Sequence, residues 1–122
     1  MSACKDQKIG QDKMELAANI YKLCNELPAE ERFGLVQEMT QTALAIAANY
    51  ANDIELSDSK NDTDYSDIVA GKLARLETQI EIANRLGYLD EDKTNNVFKQ
   101  IDLVRSQLTE HNKDGKTDEA TT

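Results

Sequence analysis

Few side chains in this 122-residue chain are spaced to perform chemistry. Glu77 and Glu81 lie one helical turn apart, a spacing at which two carboxylates can act as general acid and base. Arg85, four residues beyond Glu81, favours the structural alternative, in which both acids border the core and form ion pairs. His111 is the single histidine, so no Glu-x-x-His pair of a di-iron bundle exists. With no phosphate-binding glycine motif either, the sequence predicts no catalytic residue, no cofactor and no metal site.

Basic residues offer a second kind of chemistry, contact with nucleic acid. The densest basic positions are Lys72, Arg75, Arg85, Lys93, Lys99 and Arg105. They alternate with acids, which favours a mixed solvated surface, and a nucleic-acid groove is the alternative. The formal net charge of −9 argues against nonspecific attraction to phosphates, because acidic surfaces repel them. A local basic patch remains open, since an oligomer can gather such residues from several subunits.

Cysteine usage and hydropathy predict a cytoplasmic protein. Cys4 and Cys24 form no Cys-x-x-Cys pair, and both are expected to be reduced thiols. The first residues lack the apolar core of a signal peptide. No run approaches the roughly 20 apolar residues of a membrane span.

Four segments position these residues, and each repeats apolar side chains at three- and four-residue spacing, which predicts four helices. The helices are expected over residues 11–27, from 28–34 to about 56, over 65–86, and from about 91 to 111. Their matched lengths and the short connections at Pro28 and Gly87 predict an all-α, antiparallel up-down-up-down four-helix bundle. Residues 1–10 are expected to be a flexible leader, 11–111 the bundle domain, and 112–122 a disordered polar tail.

The connection after the third helix carries specific ending and starting signals. Gly87 suits the left-handed position that ends a helix, and Leu89 is expected to fold back onto apolar neighbours. Asp90 is expected to cap the fourth helix, with Glu91 and Asp92 in the first turn, where the helix dipole favours acids.

Residues 39–52 (MTQTALAIAANYAN) carry no charge, although 30% of the chain is charged. On a helix this stretch has a wider uncharged face than the ~100° that an ordinary surface helix buries. Such a helix usually has one set of neighbours inside its domain and another outside. The predicted oligomer interface comprises Thr40, Leu44, Ala47, Ala48 and Ala51.

Four stretches together resemble a known bacterial family. They are ERFGL at 31–35, ALAIAANYA at 43–51, LARLETQI at 73–80 and LGYLDED at 86–92. Their order and spacing are similar to those of the 23S rRNA intervening-sequence proteins, over about residues 16–108. The resemblance implies a four-helix bundle that commonly assembles into a ring-shaped homopentamer and has no established enzymatic activity.

A related branch, the accessory variability proteins of diversity-generating retroelements, binds nucleic acid and partners a reverse transcriptase. Members of the intervening-sequence family often carry two arginines at the positions that Thr40 and Gln41 occupy here. This chain therefore lacks two planar phosphate-binding groups. The sequence therefore predicts a non-enzymatic, homo-oligomeric accessory or scaffold protein. The alternative is an RNA- or DNA-binding accessory protein that partners a reverse transcriptase.

Overall fold

The computed structural model describes the backbone of residues 2–57 and 62–121 and the side chains of residues 8–48 and 66–108. The described part contains four α-helices, one short 3₁₀ helix and no strand, which confirms the all-α four-helix fold. The elements are α1 (Ser2–Cys24), the 3₁₀ helix Ala29–Glu31, α2 (Leu35–Ser57), α3 (Asp62–Arg85) and α4 (Glu91–Thr121).

The helices pack in a closed cycle in which α1 contacts α2 and α4, and α3 contacts α2 and α4. Hydrogen bonds between α1 and α4 join Asp12 to Gln107 and Asn19 to Gln100, so the residue number rises on one helix as it falls on the other. Helices α1 and α4 therefore run antiparallel. The up-down-up-down orientation of all four helices stays a prediction.

The core consists of the apolar stripes that the sequence predicts. Residues with no exposed surface come from every helix: Leu16 and Ile20 of α1, Met39 and Ile46 of α2, Val69, Leu73, Leu76, Ile80 and Ala83 of α3, and Ile101 and Val104 of α4. Full burial of one such large apolar side chain stabilises the fold by about 1.5–3 kcal/mol relative to exposure. The spacing of the α2 stripe extends to Tyr50, whose side chain lies outside the described residues.

The α3–α4 connection confirms its predicted signals. Gly87 has a φ of 78°, the left-handed conformation that glycine adopts without a steric penalty. Leu89 is half-buried against the core. The carboxylate of Asp90 accepts a hydrogen bond from the backbone N–H of Lys93 at 3.4 Å, and Glu91 and Asp92 occupy the first turn of α4.

The outer ends of α1 and α4 differ from the predicted bounds. The backbone of α1 is helical from Ser2, whereas the sequence suggested about residue 11, and α4 reaches Thr121 where the sequence suggested about 111. Neither outer segment contains a proline, so nothing in it blocks propagation, which adds one hydrogen bond per residue. The division into leader, bundle and tail stays a prediction. The connection between α2 and α3 is shorter than the polar stretch at residues 57–63, because α2 ends at Ser57 and α3 begins at Asp62; residues 58–61 lie outside the described residues.

Candidate functional site

The two acids that suggested acid–base chemistry are both held in ion pairs. Glu81 lies 3.2 Å from Nε of Arg85, four residues later on α3, as the structural alternative predicts. Glu77 forms a two-pronged contact with the guanidinium of Arg105 on α4, which also bonds Asp102 at 2.9 Å. The arrangement links α3 to α4 and leaves neither carboxylate as an isolated base.

Four of the six basic residues singled out in the sequence have carboxylate partners in this structure. Arg75 on α3 reaches Glu38 on α2 at 3.3 Å, and Lys93 reaches Glu26 at 2.8 Å. Arg85 and Arg105 are paired as described above. The six residues spread over α3 and α4, and only Lys93 and Lys99 line one common groove. The structure does not bring the six together as one basic surface.

Within residues 8–48, one side of the molecule, along the outer surface of α1 and α2, lacks charge. On α1, Asp12 and Asn19 bond α4, whereas the buried Ala17 and Cys24 lie on the opposite side of the helix. Because α1 packs only against α2 and α4, Ala17 and Cys24 belong to the α2 side. The charged residues of α1 in the described range either lie on the α4 side or, like Lys13, are buried.

The outer surface of α2 beside α1 also lacks charge between residues 35 and 48. The single charged residue in this range is Glu38, which forms an ion pair with Arg75 on α3. We call this surface the uncharged face. Its residues are Gln11, Met14, Ala17, Ala18, Tyr21 and Cys24 of α1 and Gln37, Thr40, Gln41, Leu44, Ala47 and Ala48 of α2. The exposed fractions of Met14, Tyr21 and Leu44 are 52%, 45% and 50%, large for apolar side chains.

The predicted interface residues divide into two groups on this face. Leu44 and Ala48 are exposed and available to a partner. Thr40 and Ala47 are half-buried; Ala47 packs against the bundle's own core, and the hydroxyl of Thr40 bonds the backbone oxygen of Val36 at 2.8 Å. The side chain of Ala51 lies outside the described residues. The sequence did not predict that residues of α1 belong to the uncharged face.

A groove lies between α1 and α4, on the side of α1 that faces α4. It encloses about 590 Å³, and its polar lining consists of Asn19, Lys22, Lys93, Asn96, Lys99 and Gln100. At one end of α1, Oε1 of Glu26 accepts a hydrogen bond from the backbone N–H of Asp90, and Oε2 contacts Lys93. The hydrogen bond from Lys93 lowers the pKa of the Glu26 carboxyl below its usual 4.5. The same bond raises the pKa of Lys93 above 10.5.

Cys24 is unsuited to nucleophilic chemistry. Its side chain is 6% exposed, and burial raises the pKa of the thiol from 9.0 to about 11. The thiolate is the reactive form of cysteine, so this residue is unreactive at neutral pH.

Within residues 8–48 and 66–108, no three His, Cys, Asp or Glu side chains come together as metal ligands. None of the helices in the described part of the chain is both long and apolar enough to span a membrane.

Comparison with known protein families shows which family this chain belongs to. The family described as 23S rRNA-intervening sequence protein matches residues 5–110, which include all of α2 and α3 and most of α1 and α4. The chain belongs to this family. Among curated proteins, none matches the chain.

Membership in the 23S rRNA-intervening sequence protein family confirms the resemblance drawn from the four short stretches. The family description refers to a sequence that intervenes in 23S rRNA and names no reaction, ligand or partner. What this member does must therefore be argued from its own surfaces.

Proposed function

We propose that this 23S rRNA-intervening sequence protein is a non-enzymatic, cytoplasmic scaffold that self-associates through the uncharged face. The observation that carries the proposal is that, within residues 8–48, the face shared by α1 and α2 presents no charged side chain, together with the half-exposed Met14, Tyr21 and Leu44. Large apolar side chains that share one exposed surface are typical of protein interfaces.

A second copy of this chain is the partner that the charge distribution favours. Each copy carries a net charge of −9, so most approaches between two copies bring like charges together. The uncharged face offers a contact without that repulsion. Removing Met14, Tyr21 and Leu44 from water then supplies a favourable free energy of about 25 cal/mol per Å² of apolar surface. The family resemblance favours a pentamer.

The alternative function, nucleic-acid binding in partnership with a reverse transcriptase, has less support from the predicted basic residues. Arg75, Arg85, Lys93 and Arg105 already contact carboxylates. A phosphate must compete with those acids for the same donors. The self-association proposal requires no such exchange.

Light scattering coupled to size-exclusion chromatography tests the proposal on the full chain. We expect a mass that is a multiple of the 13.6 kDa monomer at micromolar concentration. Leu44→Glu and Ala48→Arg should reduce this mass to that of the monomer while circular dichroism stays helical. A wild-type protein that elutes as a monomer overturns the proposal.

Two matched controls use residues away from the uncharged face. Leu103 on α4 has an exposed fraction of 46%, close to the 50% of Leu44, and Ala74 on α3 is exposed like Ala48. Leu103→Glu and Ala74→Arg should leave the oligomer intact. Dissociation by all four variants alike contradicts the assignment of the interface to α1 and α2.

A further inference from the structure

The groove between α1 and α4 has a composition that helix packing alone does not require. Three lysines and three carboxamides line it: Lys22, Lys93, Lys99, Asn19, Asn96 and Gln100. No acidic residue is among its lining residues, although the chain carries 23 acids. The volume of about 590 Å³ lies in the range of small-molecule sites, ~300–1,000 Å³.

Two of the three lysines are available to an anion. Lys22 and Lys99 are exposed, and among the side chains of residues 8–48 and 66–108 neither has a carboxylate within ion-pair distance. Lys93 differs, because Glu26 holds it at 2.8 Å. The groove thus combines two unpaired ammonium groups with one that is fixed in place.

The central carboxamides provide a complementary pair of hydrogen-bonding groups. Nδ2 of Asn19 donates to Oε1 of Gln100 at 2.9 Å. This bond does not use Oδ1 of Asn19, which can accept a hydrogen bond, or Nε2 of Gln100, which can donate one. Exchanging oxygen and nitrogen in both amides preserves that combination.

The floor of the groove is apolar. Leu23 and Val97 lie there, with exposed fractions of 3% and 4%. An aliphatic floor beneath paired amide groups suits a planar ring with polar edges better than it suits a fully hydrated ion. Lysines at the rim suit a negatively charged substituent on that ring system.

We propose that this groove binds an adenine nucleoside phosphate, either as a free nucleotide or as one residue of a single strand. Lys22 and Lys99 donate charge-assisted hydrogen bonds to phosphate oxygens. The free acceptor on Asn19 and the free donor on Gln100 together match the amino group and a ring nitrogen of adenine, the two groups that a single amide side chain contacts in DNA. The groove lies between α1 and α4, whereas the uncharged face runs along α1 and α2, so the site does not depend on self-association.

Titration calorimetry of the full chain at low salt tests the site with four probes: AMP, a short oligoadenylate, adenosine and inorganic phosphate. We expect AMP or the oligoadenylate to bind, and adenosine and phosphate alone to bind at least tenfold more weakly. Lys22→Gln combined with Lys99→Gln should weaken nucleotide binding by about tenfold or more, since two charge-assisted hydrogen bonds are lost. Lys72→Gln combined with Arg85→Gln makes the same change in charge elsewhere and should weaken it less than about twofold.

Binding of AMP identifies a free-nucleotide site, and binding of the oligoadenylate alone identifies a strand-binding site; both support the proposal if the loss is specific to the groove variant. Side-chain amide resonances of Asn19 and Gln100 should shift on titration, which locates the ligand independently of the variants. Equal losses in the two double variants, resonance shifts elsewhere, or no heat with any nucleotide overturn the proposal. Light scattering on the groove variant should show an unchanged mass, which separates this test from that of self-association.

Discussion

The side-chain amide of Asn19 donates a hydrogen bond to the amide oxygen of Gln100, and this contact lies at the centre of a periodic polar seam between α1 and α4. Seven residues before Asn19, Asp12 accepts a hydrogen bond from Gln107 at 2.6 Å. Seven residues after Asn19, Glu26 contacts Lys93 at 2.8 Å. The partners on α4 descend by seven at each step, which is the heptad period of packed antiparallel helices.

A double-mutant cycle should measure the central contact of this seam. Asn19→Ala and Gln100→Ala are each expected to lower the free energy of unfolding by about 1 kcal/mol, because a half-buried hydrogen bond is lost. The double variant should be less destabilised than the sum of the two, with a coupling of about 0.5–1.5 kcal/mol in urea denaturation. Asn95→Ala, at an exposed position of α4, should change stability by less than about 0.5 kcal/mol. Strict additivity contradicts a stabilising contact.

The contribution of α1 to self-association can be tested separately from that of α2. Tyr21→Glu places a charge on the uncharged face, and we expect the oligomer to dissociate to monomers in light scattering. Ile82→Glu on α3 is the matched control, since the exposed fractions of Ile82 and Tyr21 are 46% and 45%. If the two substitutions act alike, α1 has no special part in assembly.

The thiol of Cys24 should resist modification in the folded protein. With its pKa raised from 9.0 to about 11, its thiolate population at pH 8 falls about a hundredfold relative to an unperturbed cysteine. In a Cys4→Ser background, a colorimetric thiol reagent should react with Cys24 only after denaturant is added. Rapid stoichiometric reaction under native conditions would show that the packing of α1 against α2 opens readily.

The Glu26–Lys93 pair makes stability depend on pH in a defined direction. Because the folded-state pKa of Glu26 lies below 4.5, its contribution is present above that value and disappears as the pH falls through the folded pKa. Lys93, with its pKa raised above 10.5, contributes below that value and loses its effect at higher pH.

Glu26→Gln should therefore be less stable than wild type near neutrality, and the difference should shrink as the pH falls below 4.5 and through the lowered pKa of Glu26. Urea denaturation from about pH 3 to 7 measures this difference, with Glu15→Gln, an exposed change on α1, as control. A difference that stays constant over this range would exclude Glu26 as the titrating group.

Two glycine-to-alanine substitutions should have opposite signs. Gly87 has a φ of 78°, and nothing lies within 4 Å of an added Cβ, so Gly87→Ala loses about 1 kcal/mol through backbone strain alone. Gly71 lies within α3, again with nothing within 4 Å, and Gly71→Ala should gain about 0.5–1 kcal/mol from helix propensity. Thermal unfolding of both variants provides the comparison, and shifts of the same sign would contradict it.

Local signals were predictable from the sequence because each depends on neighbours along the chain. The turn at Gly87, the cap at Asp90 and the Glu81–Arg85 pair all act within about one helical turn. The apolar stripes likewise identified the core, since their spacing is a property of each helix alone. Burial of Lys13, at 0% exposure, breaks such a stripe with a charged residue and has no local signal.

The two candidate surfaces required knowledge of which helices are adjacent. On α2 the uncharged residues are consecutive, so a linear scan of the sequence finds them. On α1 the uncharged Met14 and Tyr21 alternate with charged residues that face α4, and the pattern appears only once the sides of the helix are known. The α1–α4 groove joins residues about 80 positions apart, such as Asn19 and Gln100, which no local spacing connects.

Because the polar contacts of the seam repeat every seven residues, a shift of α4 by seven residues brings polar residues of the two helices opposite each other again. If α4 slid by seven residues, Asp12 would meet Gln100 and Asn19 would meet Lys93, and both new pairs are chemically acceptable, whereas Glu26 would lose Lys93. The two pairs within the helices thus select direction but tolerate a slip of two helical turns. Contacts at the connections remove that ambiguity, because the hydroxyl of Tyr88 donates to Glu31 and the backbone N–H of Asp90 donates to Glu26. The contacts between the two connections therefore fix the register of α4 along α1.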